Sequence, residues 1–174
     1  MTIDVNNFLI SQKFEELEEN IANLAWNSFS SSNYVDDIYI DNFGDISGID
    51  VESSSYLYDT ITDCIGRLNS STALTLVTNV WYSTWPNIKG SYCLIKITPP
   101  IDGYSLTASI SVNGGSTFYT YGNLYEYFVL NDYVFLRGDV FNIPDSDGRS
   151  VTFKIQSNNT NDVKINDIAV GVSY

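Results

Sequence analysis

Residues 107–121 have the sequence TASISVNGGSTFYTY and indicate the fold of this chain most clearly. Two runs in which apolar and small polar residues alternate flank Asn113, Gly114 and Gly115. Asn and Gly tolerate the positive φ angles that tight hairpin turns require, so the chain can reverse here without strain. Alternation on both sides is typical of half-buried strands. The stretch therefore predicts a β-hairpin with a tight turn at these three residues.

The same pattern of strands and turns continues from residue 73 to residue 174. Turn signals such as Pro99-Pro100 and Asn131-Asp132 separate short apolar or alternating runs. The predicted strands cover residues 74–82, 92–98, 104–112, 117–121, 124–130, 134–143, 151–156 and 163–172. Many short strands of this kind are typical of an antiparallel β-sandwich of the jelly-roll type. We therefore expect a mainly β protein with a β-sandwich domain at residues 73–174.

A segment near the start of the chain has helical spacing instead. Its apolar residues recur at intervals of four and three and form a seam on one face: Ile10, Phe14, Leu17, Ile21 and Leu24. The pattern predicts one N-terminal amphipathic helix in an arm of residues 1–33, followed by a connector with short β elements at residues 34–72. The seam either packs on the chain's own β-domain or pairs with other copies or a partner. About two heptads cannot hold a coiled coil alone.

Composition and charge exclude several classes of function. The 174 residues carry a formal net charge of −13 and include no histidine. Without histidine, no histidine-based catalytic triad, histidine metal site or imidazole pH switch can form within this chain. An acidic surface repels phosphate backbones, so we expect no nucleic-acid binding. No apolar run approaches the ~18 residues that span a bilayer, so we expect no membrane insertion.

Neither the cysteines nor the acidic residues form a recognisable chemical site. Cys64 and Cys93 are too few to define a disulfide framework, and we expect free thiols, with a disulfide formed after release from the cell as the alternative. A group of acidic residues could attract calcium, but its spacing does not fit an EF-hand and solvated loops are favoured: Asp36, Asp37, Asp41, Asp45 and Asp50. We therefore expect no catalytic residues, no metal, no cofactor and no enzymatic activity.

Aromatic residues near turns are the better candidates for a binding site. Flat rings beside polar side chains supply the apolar platform and the hydrogen bonds that sugar rings require. The candidate glycan-binding residues are Trp81, Trp85, Tyr119, Tyr121 and Tyr125. The other interpretation, which we favour, is that these rings fill the core of the sandwich or a subunit interface, where aromatic residues are also enriched.

The order of motifs in the chain resembles that of tailed-phage tail and tail-fibre proteins with a C-terminal β-domain. The resemblance covers roughly residues 43–174 and rests on the hairpin, a short link, a closing pair of strands and an upstream segment: residues 111–118, 143–148, 153–159 with 163–168, and 47–59. It implies a structural component of the virion, as a tail, tail-fibre or baseplate-associated protein that is made in the host cytoplasm and assembles with other virion proteins. A closed homo-oligomer is expected, with a trimer favoured. The alternatives are a carbohydrate-binding adhesin that recognises a host surface glycan and a capsid decoration or head-fibre protein.

Overall fold

The computed structural model describes residues 37–69, 72–84, 86–100, 102–144, 148–157 and 162–174. Across these ranges the regular secondary structure is entirely β, without a helix. None of the described segments could therefore cross a bilayer as an apolar helix. The strands are β1 (Asp37–Asp41), β2 (Leu57–Asp59), β3 (Cys64–Gly66), β4 (Thr75–Val77), β5 (Trp81–Tyr82), β6 (Gly90–Thr98), β7 (Leu106–Ser111), β8 (Tyr119–Thr120), β9 (Tyr125–Leu130), β10 (Tyr133–Phe141), β11 (Ser150–Ser157) and β12 (Lys164–Ser173).

The strands form two antiparallel sheets that pack face to face. The larger sheet has the order β2-β3-β12-β6-β10-β9, and β1 pairs with β12 on the same side as β3. The smaller sheet has the order β4-β11-β7-β8, and β5 pairs with β11 beside β4. The chain changes sheet after β3, β5, β6, β8, β10 and β11, which is how a jelly roll is connected. The prediction of a mainly β, antiparallel jelly-roll sandwich is confirmed, whereas the predicted N-terminal helix and its seam lie outside the described residues.

The inner faces of the two sheets form the core. Alternate residues of a strand point to the same side, so Cys93, Ile95 and Ile97 of β6 face Phe153 and Ile155 of β11 across the sandwich. Full burial of an apolar side chain of this size contributes about 1.5–3 kcal/mol. The residues between these inward ones must point outward, and this alternation places the candidate site described below.

One predicted strand, residues 74–82, is divided into β4 and β5. After β4 the Thr78 N–H still donates to the Phe153 carbonyl of β11, but the residues on either side of Thr78 exchange backbone hydrogen bonds with the loop that follows β1. The Asp50 N–H donates to the Val77 carbonyl at 2.9 Å, and the Asn79 N–H donates to the Gly48 carbonyl at 2.8 Å. This second set of partners interrupts the ladder, which is why one apolar run became two short strands.

The segment predicted as a connector, residues 34–72, belongs to the sandwich wherever it is described. β1 pairs with β12 along its whole length, and β3 pairs with β12 through Ile65. Phe43, Ile49 and Ile65 are buried in the common core. The short β elements expected here are present, but the segment is corrected from a linker to a part of the larger sheet. Its core residues stand singly between turns and give no periodic signal in the sequence.

The hairpin motif joins β7 to β8 through a longer connection than expected, residues 112–118. Gly114 and Gly115 have φ angles of 67° and 86°, the conformation for which glycine was expected. The Asn113 Oδ1 accepts a hydrogen bond from the Thr117 N–H at 2.9 Å, and the Ser111 Oγ accepts one from the Gly115 N–H at 2.9 Å. These side-chain acceptors close a wide turn, which corrects the expectation of a tight one.

Candidate functional site

The outer face of the larger sheet carries aromatic and charged side chains in rows across the strands. Inward residues of β6, β10 and β12 belong to the core, and the residues between them point outward. The pairing register places the outward residues side by side in three rows: Ala169, Leu94, Arg137 and Tyr125; Gly171, Tyr92 and Asp139; Asp167, Lys96, Phe135 and Phe128. Below, "outer aromatic face" denotes a part of this face with eight residues: the exposed Tyr125, Tyr127 and Phe141, the half-buried Phe128, Arg137 and Asp139, and the buried Tyr92 and Phe135.

Three rings of the outer aromatic face are open to solvent. Tyr125 is 46% exposed, Tyr127 38% and Phe141 52%. Phe141 is supported from below by Tyr92, whose ring it meets edge to face at 5.4 Å. Tyr125 is paired with Arg137 of β10, and Phe141 follows Arg137 by four residues on the same strand. At ~3.3 Å per residue, the backbone positions of Tyr125 and Phe141 are about 13 Å apart along the strand direction. Rings carried at this separation can contact different units of one extended ligand.

A β-bulge in β9 turns two consecutive aromatic residues to the same face. The register with β10 shifts between Phe135 and Leu136, so that Tyr127 is the extra residue of the bulge. Tyr127 meets Phe128 edge to face at 5.6 Å, and Phe128 stacks on Phe135 with ring centroids 4.1 Å apart. The stacked pair forms a base that holds Tyr127 at the surface.

Charged groups are fixed among these rings. The guanidinium carbon of Arg137 lies 5.7 Å from the centroid of the Tyr127 ring. Further along the same face, the Lys96 Nζ lies 4.3 Å above the Tyr133 ring and 3.0 Å from the Asp167 Oδ2. Burial raises the pKa of the Asp167 carboxyl, and the Lys96 ammonium opposes that shift. Donors and acceptors beside flat rings are the combination that sugar hydroxyls and ring faces require.

Three of the five predicted glycan-binding residues contact the core: Tyr121 is buried, and Trp81 and Tyr119 are half-buried. Tyr121 is buried, and its hydroxyl is 2.6 Å from the Ser91 Oγ. Trp81 stacks on Tyr39 with centroids 5.9 Å apart, and Tyr119 packs against the core. The prediction is corrected for Tyr121, which is closed to solvent, whereas Trp81 and Tyr119 keep part of their surface exposed while they pack against the core. The interpretation of them as core residues fits the structure.

The other two predicted residues have different outcomes. Tyr125 lies on the outer aromatic face, whereas Trp85 lies outside the described residues. Arg137 and Phe141 lie on the same face but were not among the predicted residues. A signal for them existed, since Phe135, Arg137, Asp139 and Phe141 recur with a period of two along one predicted strand.

The acidic loop residues act as hydrogen-bond acceptors within their own loops. Asp41, Asp45 and Asp50 each accept the backbone N–H two residues further on, at 2.9, 2.7 and 3.1 Å. Such bonds stabilise turns without a metal ion. In the part of the chain that the structure describes, which excludes Asp36, no group of three or more His, Cys, Asp or Glu side chains is placed to hold a metal ion.

Both cysteines are buried free thiols. Burial raises the pKa of the Cys93 thiol well above its usual range. A thiol in this state is a poor nucleophile, because the thiolate is the reactive form. Cys93 therefore acts as a small apolar residue of the core.

No protein-family model and no curated protein sequence matches the chain. Among solved structures, the chain is similar to the C-terminal family 6 carbohydrate-binding module of LamC from Zobellia galactanivorans, at 13% identity over 78% of this chain and 99% of that chain, with a TM-score of 0.46. It is also similar to a family 6 module of lichenase 5A from Cellvibrio mixtus in complex with cellotriose, at 12% identity over 78% and 98%, with a TM-score of 0.43. A family 35 carbohydrate-binding module from Clostridium thermocellum is similar at 16% identity over 76% and 98%, again with a TM-score of 0.43. These likenesses concern the arrangement of strands and assign no ligand to this chain.

Proposed function

We propose that this protein binds carbohydrate through the outer aromatic face of its larger sheet. The observation that carries the proposal is the exposure of Tyr125, Tyr127 and Phe141 on one face, beside Arg137 and Asp139. Each exposed ring can stack on the apolar face of a sugar. The guanidinium of Arg137 can donate hydrogen bonds to sugar hydroxyls, and the carboxylate of Asp139 can accept them. All five side chains stand on paired strands, so the sheet holds the platform in place.

The expected affinity of this platform is modest. A ring that buries about 50 Å² of apolar surface contributes roughly 1.3 kcal/mol at ~25 cal/mol per Å². Three such rings supply about 4 kcal/mol, and the freedom that protein and ligand lose on association offsets part of this gain, so the rings alone should give a Kd of about 1 mM or weaker. Several copies on one particle would raise the apparent affinity through multivalency. The predicted homo-oligomer would therefore suit this function.

The direct test measures binding of purified protein to a panel of neutral and acidic polysaccharides by affinity gel electrophoresis, followed by calorimetry with oligosaccharides of any that retard it. Tyr125→Ala and Phe141→Ala should each weaken binding about tenfold, the effect of roughly 1.4 kcal/mol. Tyr82→Ala is the matched control, because Tyr82 is 76% exposed but belongs to the smaller sheet.

The proposal fails if no polysaccharide in the panel binds the native protein. It also fails if Tyr125→Ala and Phe141→Ala bind as tightly as Tyr82→Ala. Circular dichroism of each variant separates loss of binding from loss of the fold, since all three substitutions are at exposed side chains.

The virion location indicated by the motif resemblance stays a prediction, together with the other virion partners, the trimer and synthesis in the host cytoplasm. On a particle, the outer aromatic face would attach to a glycan of the host surface. Immunogold electron microscopy of particles from infected cultures tests this location. Label on the tail, baseplate or head supports it, and protein found only free in the lysate contradicts it.

The absence of enzymatic activity likewise stays a prediction. Incubation with any polysaccharide that binds, followed by an assay of newly released reducing ends, tests it. Turnover would contradict the prediction of a purely binding protein.

A further inference from the structure

A groove lies at the β2 edge of the larger sheet. This edge is opposite to β9 and therefore far from the outer aromatic face. Its volume is about 430 Å³, within the range of small-molecule sites. The β2–β3 hairpin and the start of β12 line it. One lining residue is Gly66, where an added Cβ would meet no atom within 4 Å. The groove therefore has space for a ligand without rearrangement.

Two cationic side chains line the groove, and each stands beside a carboxylate. Arg67 bonds Asp162 through its Nε, and the Lys164 Nζ lies 3.6 Å from the Asp59 Oδ2. The Arg67 side chain is only 16% exposed, whereas that of Asp162 is 72% exposed. An ion pair with an exposed partner is weak, because water and other ions compete for the charges. The guanidinium is thus a fixed part of the wall, and the Asp162 carboxylate is a partner that a ligand can replace.

The second carboxylate is held in place. The Asp59 Oδ1 accepts the Ile61 N–H at 3.0 Å, and the Asp59 Oδ2 accepts the Thr62 hydroxyl at 2.8 Å. These bonds, foremost the one from the Ile61 backbone, lower the pKa of Asp59. Asp59 therefore stays ionised as the counter-charge of Lys164, which leaves Arg67 as the cation whose partner can exchange.

Apolar side chains stand at the rim of the same groove. Ile61, at the tip of the β2–β3 hairpin, is 90% exposed, and Leu57 is also exposed. An apolar ligand surface placed against these two side chains would remove them from water, which favours binding. The groove thus combines a cationic wall with an apolar rim.

We propose that this groove binds a small ligand that carries a carboxylate on a body with an apolar face. The ligand carboxylate replaces Asp162 on Arg67, and the body packs against Ile61 and Leu57. A guanidinium presents donors in a planar fork that matches a carboxylate in two parallel hydrogen bonds. An acidic sugar and a free organic acid both have this chemistry. The site is separate from the outer aromatic face and does not rest on the proposed function.

Calorimetry with glucuronate and with benzoate tests the groove, with glucose as the neutral counterpart of glucuronate. Arg67→Gln should weaken binding about tenfold or more, the loss typical of a charged hydrogen-bond partner. Gly66→Leu should abolish binding by filling the groove, at a residue whose φ is not positive. Asp162→Asn should instead tighten binding severalfold, because it removes the competing carboxylate.

Two control variants remove the same charges at a distance from the groove. Arg149→Gln matches Arg67→Gln, and Asp132→Asn matches Asp162→Asn; neither control residue lines the groove. We expect both controls to bind like the native protein. Circular dichroism verifies that each variant is folded.

Binding of glucuronate alone would identify an acidic sugar as the ligand class, and binding of benzoate would identify a site for organic acids. Either result supports the proposal if the variants follow the stated order. The proposal is overturned if neither compound binds, if glucose binds as well as glucuronate, or if Asp162→Asn weakens binding. Because Tyr125→Ala leaves the groove intact, this outcome is independent of the test of the outer aromatic face.

Discussion

Replacing Ser91 with alanine should destabilise the fold more than replacing Tyr121 with phenylalanine. The Ser91 hydroxyl donates to the Gly171 carbonyl at 2.8 Å, so its only hydrogen is engaged. The Tyr121 hydroxyl, 2.6 Å from the Ser91 Oγ, must therefore be the donor of that bond. The chain of bonds links the residue after β8 to β6 and β12, and all three residues are buried.

The geometry sets the expected costs. Tyr121→Phe removes one donor but leaves the Ser91 hydroxyl bonded to Gly171, so we expect a loss of about 0.5–1.5 kcal/mol. Ser91→Ala leaves the Tyr121 hydroxyl in the core without its partner, which costs about 1–3 kcal/mol. The double variant contains no stranded hydroxyl. Its cost should therefore be smaller than the sum of the two single costs by about 1 kcal/mol.

Urea unfolding of the native protein, both single variants and the double variant at pH 7 measures these free energies. At that pH the Tyr121 hydroxyl is protonated, because burial raises its pKa well above the usual value. In a chain of this size each 1 kcal/mol also lowers Tm by about 2–4 °C, which gives a second measurement. Two results would contradict this prediction: a cost of Ser91→Ala no larger than that of Tyr121→Phe, or a double variant whose cost equals the sum of the two single costs.

Three further predictions concern pH and close packing. Tyr121 ionises less readily in the folded state than in the unfolded state, so the free energy of unfolding should fall as pH rises above about 10. A free energy of unfolding that stays constant up to pH 11 in urea titrations would contradict this. Burial would raise the pKa of Asp37, but its hydrogen bonds, the strongest from Tyr174 at 2.7 Å, lower it overall. The ionised Asp37 carboxylate therefore stabilises the fold above the ordinary carboxyl pKa, and this stabilisation is lost as pH falls below about 4. In the Asp37→Asn variant the free energy of unfolding should change less between about pH 4 and pH 2 than in the native protein. Gly148→Ala would place a Cβ 2.0 Å from the Val112 carbonyl oxygen and should lower the free energy of unfolding by about 1–3 kcal/mol or more. Gly66→Ala is the control, because its Cβ would meet no atom within 4 Å and should change the free energy of unfolding by much less. Equal Tm values for the two variants would contradict this prediction.

The sandwich was predictable where strands alternate regularly and unpredictable where single residues reach the core. β6, β7, β10 and β11 have a clear period of two or a continuous apolar run, and each was expected within two residues of its observed ends. Phe43 and Ile49 also belong to the core. They lie among Asp, Ser and Gly residues that indicate only loops, so no pattern in the sequence predicted that they are buried.

The candidate sites were harder to predict, for two physical reasons. Alternation shows that half of a strand's residues face outward but not which half, and the bulge at Tyr127 breaks the alternation in β9. Tyr125 was therefore chosen together with Tyr121, although the two rings lie on opposite sides of a sheet. The groove depends on contact between Arg67 and Asp162, which are 95 positions apart and leave no local pattern in the sequence.

The place of β12 in the larger sheet sets a constraint on how the protein is made. β12 is the last described strand along the chain, yet it lies between β6 on one side and β1 and β3 on the other. The ribosome therefore releases all three of these neighbours before the strand that joins them. Until β12 has been synthesised, the unpaired edges of β1, β3 and β6 can pair with other nascent chains. The sheet also forms slowly, because its strands are far apart in the sequence. Growing chains of this protein should thus depend on protection from aggregation until synthesis has passed residue 173.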